Sequence, residues 1–346
     1  MLDFHPLQLE DIPKLRGFFQ SNDARICDTT VGAAFIWRNL YHTEYAIYEG
    51  ALYFKVLYPG LGETFTLPLC GSRWEHYRQI ADYCCHRGIP IAFYPVPAAE
   101  LEMLQEFFPN SAAISVRDSF DYLYRAEDLQ YFRGKKLSGQ RNHVNKFMKT
   151  YGNWSFRTIT PEDIPALKVF LDRYAASREK AAPSFYEDIA KTHEVLDNYA
   201  LYDFQGGMLL VDGQIAGFSL SEIIGDTMYT HIEKADRDYL GGYQMLVSQA
   251  AQMFARNGVN FINREDDAGD PGLRTSKLSY HPISLQEKYT VTVESPIQTR
   301  NWCITWKRVY LTLKSSGPSC FQHPHSQQIL QRSRSCKLLR LKLLLV

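Results

Sequence analysis

Arg264-Glu265-Asp266-Asp267 sets three acids side by side behind an arginine. Adjacent carboxylates repel, so such a run costs stability unless cations answer it. It can hold an ammonium group, or its aspartates can simply cap a following helix. Arg274 and Lys277, three residues apart, either pair with these acids or bind substrate. Glu233 is a candidate base, one residue before Lys234. Tyr280 either protonates a leaving oxygen or packs a short helix onto a sheet. Gly241-Gly242 precedes an amphipathic run, and free N–H groups at a helix start suit phosphates, although the pair can equally be an ordinary strand–helix turn. From Leu129 to Pro161 there is no acid but there are seven bases: Arg133, Lys135, Lys136, Arg141, Lys146, Lys149 and Arg157. Lys135, Lys136, Arg141 and Lys146 make a polyanion surface or a solvated interdomain helix. His143 and His231 have the right side chain to titrate near neutrality and are read first as core or surface histidines.

These groups need elements to position them. Met208–Val211 and Gln214–Ile223 read as a hairpin about Asp212-Gly213, and Thr227–Lys234 as the next strand. Tyr243, Leu246, Val247, Ala250, Met253 and Phe254 share one face of a helix over Tyr243–Arg256, which Gly258 stops. Val259–Asn263 is a strand, Asp270 an N-cap, Pro271 the start of a helix to about Tyr280, and Leu285–Val293 a closing strand. In the basic segment Val144, Phe147, Met148 and Tyr151 have helical spacing.

The chain also repeats itself. FHPLQLEDIPKLRGFF from Phe4 lies over FRTITPEDIPALKVFL from Phe156 at an offset of 152, with Glu-Asp-Ile-Pro shared. ADYCCHRGIPIAF from Ala81 resembles AQMFARNGVNFIN from Ala251 at an offset of 170. Two matches in the same order point to a duplicated domain. The second copy reads β, α, ββ, β, α, β, α, β, and that order resembles the GNAT acyltransferase fold. The resemblance implies an acyl thioester or ester held against the sheet and attacked directly, a base for the acceptor's proton and a donor for the leaving oxygen. Arg237 precedes Gly241 by four places, one residue longer than the Gln/Arg-x-x-Gly-x-Gly/Ala acetyl-CoA pattern of that superfamily.

The strings GKKLSGQRNHVNKF (Gly134–Phe147), HIEKADRDYLGGYQ (His231–Gln244) and NREDDAGDPGLRTSKLSYHP (Asn263–Pro282), followed by Lys288-Tyr289, are more specific. Over about residues 1 to 294 they resemble the family sharing the C-terminal domain of phosphatidylglycerol lysyltransferase. The resemblance implies tandem GNAT-like units related to the Fem-type peptidyltransferases, whose members move an aminoacyl group from tRNA to a lipid or peptidoglycan amine or hydroxyl. The fold class expected is therefore α/β with two tandem GNAT-like domains. The catalytic expectation falls on Glu233 and Tyr280. Donor binding falls on Arg237, Tyr239, Gly241, Gly242 and Gln244, and substrate binding on Asn263, Glu265, Asp266, Asp267, Arg274 and Lys277. The co-substrate is aminoacyl-tRNA or acyl-CoA, with no permanently bound cofactor and no metal. Expected partners are tRNA and a small-molecule, lipid or peptide acceptor. A CoA-dependent N-acyltransferase, or a catalytically silent protein keeping the cleft, is the alternative.

Composition sets the frame. At 346 residues and 45% hydrophobic the chain can bury two cores. Expected divisions are a non-catalytic N-terminal domain over 1–128, the basic helix over 129–155, the donor-site domain over 156–294, and a tail over 295–346. That tail holds nine Lys/Arg and no acid, so residues 1–294 carry an excess of nine acids. Its unpatterned, Cys- and Ser-rich text reads as disordered or out-of-frame, and Cys320 with His323 and His325 lacks a second ligand cluster. Seven cysteines without CxxC spacing, an N-terminus without a signal peptide and no membrane-length apolar run lead to the expectation of a cytoplasmic protein. There is no Walker A, GxSxG or HExxH string.

Overall fold

The structure, a computed structural model, describes residues 1–20, 23–69, 73–177 and 183–294; the basic tail lies outside them. Fourteen strands appear among the described residues. They are β1 His5–Pro6, β2 Glu44–Tyr48, β3 Ala51–Tyr58, β4 Gly62–Phe65, β5 Ile91–Pro97, β6 Ser111–Ser115, β7 Asp121–Arg125, β8 Trp154–Thr158, β9 Gln205–Val211, β10 Gln214–Ile224, β11 Thr227–Ala235, β12 Phe261–Asn263, β13 Ser284–Gln286 and β14 Lys288–Val293. They form two seven-stranded sheets, ordered β1-β2-β3-β4-β5-β14-β6 and β8-β9-β10-β11-β12-β7-β13.

The two orders superimpose position by position, so the repeat in the sequence is a repeat in space. Each sheet has one internal parallel pair, β4 with β5 and β11 with β12. The helix–glycine–strand text at offset 170 builds those pairs: Arg73–Arg87, Gly88 at φ +67° and β5 in one half; Gly242–Phe254, Gly258 at φ +97° and β12 in the other. At offset 152, Asp11 accepts the backbone N–H of Gln8 and Asp163 that of Thr160, fixing the same helix entry twice.

The sixth position of each sheet is filled by exchange. β7 leaves the first half to pair with β12 and β13, and β14 leaves the second half to insert between β5 and β6. The single closing strand expected at Leu285–Val293 is therefore two strands, β13 and β14, divided at Glu287 and serving different sheets. A shared core follows, in which Phe35, Leu52 and Phe54 join one cluster with Leu167, Phe170, Phe218 and Leu220. The helix Gly242–Phe254 buries Val247, Ala250 and Phe254 with Tyr122, Tyr124 and Ile262, and Met245 and Leu246 with Leu209 and Ala216. Each large apolar side chain so buried contributes roughly 1.5–3 kcal/mol. In the basic helix, Ser138–Thr150, Phe147 is buried as its spacing implied, whereas Met148 is exposed. Among the described residues no helix is long and apolar enough to cross a membrane.

Candidate functional site

β11 and β12 pair at only three positions, ending at Tyr229–Asn263. β11 continues to Ala235 while the chain after Asn263 turns into the acidic loop, so the strands part and leave a wedge. Alternation places His231 and Glu233 on one face of β11, and each takes a partner from the loop.

His231 lies between two carboxylates. Its Nδ1 is 2.7 Å from Glu265 Oε1 and its Nε2 is 2.9 Å from Glu222 Oε1 on β10. Burial alone would push the imidazole pKa down; the two glutamates override it and raise it to about 10. Glu222 also accepts the Gly32 N–H at 2.8 Å, and its pKa is lowered because His231 and these donors outweigh burial. Gly32 has no room for a side chain, since a Cβ would sit 2.3 Å from His231 Nε2.

Glu233 is held by Arg264 through Nε at 3.0 Å and Nη2 at 2.5 Å. The Arg264 guanidinium lies 4.6 Å from the centre of the Tyr280 ring. Burial raises the Tyr280 hydroxyl to about 12, and its side chain is 1% exposed. The expected catalytic pair, Glu233 and Tyr280, thus meets through Arg264.

The rest of the acidic loop is also answered. Asp267 is 0% exposed and accepts Tyr122 Oη at 2.5 Å, Arg274 at 2.6 and 2.9 Å, and Arg117 at 3.3 Å. Burial opposes its charge, but Arg274, Tyr122 and the Gly269 N–H hold its pKa at about 2. Arg274 pairs with Asp118 as well. Lys277, expected to pair with acids or bind substrate, instead donates to the main-chain oxygens of Arg264 and Asp266, and burial lowers its pKa. Asp270 caps the helix Pro271–Ser279 through the Leu273 N–H, as its position implied.

Asp266 faces a second cluster. Lys288 Nζ, almost fully buried, lies 2.5 Å from Asp28, 2.7 Å from Asp121, 3.5 Å from Cys27 Sγ and 4.0 Å from Asp266. Burial works against the Lys288 charge, but Asp121 and Asp28 raise its pKa, so it remains an ammonium. Burial lifts Asp266 to about 6. Asn263 anchors the loop's start, donating to Asp121 and to the Arg25 oxygen while accepting the Glu265 N–H. Cys27, Asp28 and Asp121 bring metal-ligand atoms within 4.8 Å of one another, but the Lys288 ammonium already supplies the cation there.

The glycine turn faces the basic helix. Gly241, at φ +82°, would place a Cβ 2.3 Å from the His143 oxygen, so it is Gly241 rather than Gly242 that has no room. Tyr151 Oη accepts the Leu240 N–H, and the Tyr151 and Tyr239 rings lie 5.5 Å apart. Gln140 donates to Ser279, next to Tyr280. Arg141 is drawn inward to the Phe132 and Gly134 oxygens, while Lys135, Lys136, Lys146 and Arg237 are exposed.

Sequence reasoning named the loop but missed most of what answers it: Asp28, Asp121, Glu222, Lys288, Arg117 and Asp118. One signal was present. Asp121 opens the apolar run Asp-Tyr-Leu-Tyr, where an acid demands a buried partner.

Comparison with known proteins places the fold in a family. The family model described as phosphatidylglycerol lysyltransferase, C-terminal, matches residues 19–292. An uncharacterized protein of Mycoplasmoides gallisepticum is 29% identical over 181 residues, covering 51% of this chain and 56% of that protein, little more than half its length. The crystal structure of a conserved protein of unknown function from Bacteroides thetaiotaomicron is 27% identical, with a TM-score of 0.78 over 85% of this chain and all of the other. The C-terminal domain of a putative lysylphosphatidylglycerol synthetase from Agrobacterium fabrum is 14% identical, with a TM-score of 0.59, covering 88% of this chain and 94% of that one, and speaks for the fold. The α/β class with two tandem GNAT-like units, an acyltransferase-like fold, is what the chain has.

Proposed function

We propose that this chain, which belongs to the phosphatidylglycerol lysyltransferase C-terminal family, transfers an aminoacyl group from tRNA to an amine or hydroxyl acceptor. The observation that carries the reading is contiguity. The basic helix packs on the glycine turn through Gly241 and on the Tyr280 end of the Pro271–Ser279 helix through Gln140. That helix in turn holds the acidic loop through Arg274 and Lys277. A polyanion lying along Lys135, Lys136 and Lys146 would therefore bring its esterified end towards the loop. There Asp28 and Asp266, each about a quarter to a third exposed, suit the ammonium of an aminoacyl group.

Filter binding of radiolabelled lysyl-tRNA across a salt series tests this, with acetyl-CoA as the competing donor. Salt-sensitive binding is expected, flattened by charge reversal at Lys135, Lys136 and Lys146 because fewer counterions are released. Transfer of label to phosphatidylglycerol vesicles or to an amine-bearing peptide then separates a lipid from a peptide acceptor. Binding of acetyl-CoA alone would move the reading to CoA-dependent N-acyl transfer, and binding of neither donor would overturn it.

A further inference from the structure

We propose that Glu265 is the proton-accepting group of the transfer, with His231, Glu222 and Gly32 as the positioning residues behind it. The proposal rests on the acyl-transfer reading above. Three observations carry it.

The first is access. Glu222 is 7% exposed and His231 1%, but Glu265 is 27% exposed, so it is the member of the row that reaches the surface. Among the described residues only its Oε1 is hydrogen-bonded, to His231.

The second is charge. One imidazolium lies between two carboxylates, leaving the row one negative charge in surplus. Burial disfavours surplus charge, so a proton arriving from outside is welcome. Glu222 is committed, since Gly32 N–H and His231 both donate to its Oε1. The incoming proton therefore falls to Glu265. Its chain neighbours Arg264 and Asp266 face Glu233 and Lys288, and among the described residues Lys277 and Cys27 also feel its charge. Lys277 tempers the local charge, but its hydrogen bonds go to main-chain oxygens and leave the second oxygen of Glu265 unclaimed. Cys27 is fully buried, and burial keeps its thiol protonated. The flank of His231 is closed by the Phe204 ring, at 5.3 Å.

The third is the contrast with Glu233. That carboxylate is matched one to one with Arg264, which does not lose its charge. Protonating Glu233 would strand a guanidinium that is 8% exposed.

The step balances without an oxidant or a metal. The neutral acceptor nitrogen, or hydroxyl oxygen, attacks the ester carbonyl carbon. The new N–C or O–C bond forms and the carbonyl carbon–ribose oxygen bond breaks. The acceptor's proton passes to the free oxygen of Glu265 and on to the departing ribose oxygen, which restores the carboxylate.

Gly32→Ala offers a test that changes no titratable group. Its methyl must displace the His231 ring. Rates are measured with lysyl-tRNA as donor and phosphatidylglycerol vesicles or a lysine-bearing peptide as acceptor. Glu265→Gln should lower kcat and kcat/KM together by about 10²–10⁴-fold, with thermal melting close to wild type. His231→Gln should lower kcat less. It should leave the KM for lysyl-tRNA close to wild type, because it disturbs the placing of the accepting carboxylate and not the binding of the donor. Gly32→Ala should show the same split, a lower kcat at a KM close to wild type; if it does not fold, His231→Gln carries the comparison. Full turnover in Glu265→Gln with loss in Glu233→Gln would give the proton to Glu233 and overturn the proposal alone. No transfer by the wild type from any donor would overturn the acyl-transfer reading and this proposal with it.

Discussion

The two parallel junctions occupy the same place in their sheets and are filled by opposite chemistry. At offset 170, Tyr94, Pro95, Val96 and Pro97 stand where the second half has Arg264, Glu265, Asp266 and Asp267. In the first half β4 and β5 pair at one position, Phe65–Phe93, and rings fill the space: Tyr94 against Tyr58 at 4.6 Å and Tyr58 against Tyr41 at 5.7 Å. In the second half the space holds His231, Glu233, Arg264 and Glu265. An aromatic fill needs only to pack. An ionic fill needs every charge answered, and replacing buried ion pairs by apolar groups is often neutral or stabilising. Stability therefore does not account for the charges of the second junction, whereas the proposed transfer would use them.

The comparison breaks most visibly at Lys288, which ties the charged junction to Asp28 and Asp121. Lys288→Met leaves buried carboxylates without a cation and should cost about 3–5 kcal/mol, read as a fall in the urea midpoint. A smaller effect separates the halves by pH. Asp267 is held at about 2, below its unfolded range, so the folded chain binds fewer protons than the unfolded one between about pH 4 and 2. Its contribution, on the order of 2 kcal/mol, is fully present above about pH 4 and is lost as pH falls through 2. Urea midpoints measured from pH 6 to pH 2 should show this acid limb, and Asp267→Asn should flatten it; the corresponding Pro97 has nothing to titrate. The smallest effect is expected in the aromatic junction. Tyr94→Phe removes only the hydroxyl of a ring packed on Tyr58 and should cost about 0.5–1.5 kcal/mol in the same assay. A loss at Tyr94 as large as that at Lys288 would erase the distinction between the junctions.

Much of this was legible in the sequence because it depends on local periodicity. The hairpin about Asp212-Gly213, the helix stopped before Gly258 and the Asp270 cap follow from residues near one another in the chain. So does the duplication, since both copies spell the same helix entry. The exchange of β7 and β14 was not legible, because Asp121–Arg125 and Lys288–Val293 look alike whichever sheet receives them. The partners of the acidic loop were hidden for the same reason. Asp28, Asp121 and Lys288 lie far apart in sequence, and only the exchanged strands bring them to Asp266.

That exchange has a kinetic consequence. Neither sheet can be completed from its own half, since β5 has no neighbour on one side until β14 arrives and β12 waits on β7. Ile91 must find Val293 across most of the described chain. Closing so long a loop before any contact rewards it slows folding and leaves strand edges exposed meanwhile. The halves should therefore form as one cooperative unit late in synthesis, with β5 an open template for wrong pairing until the last described strand is made.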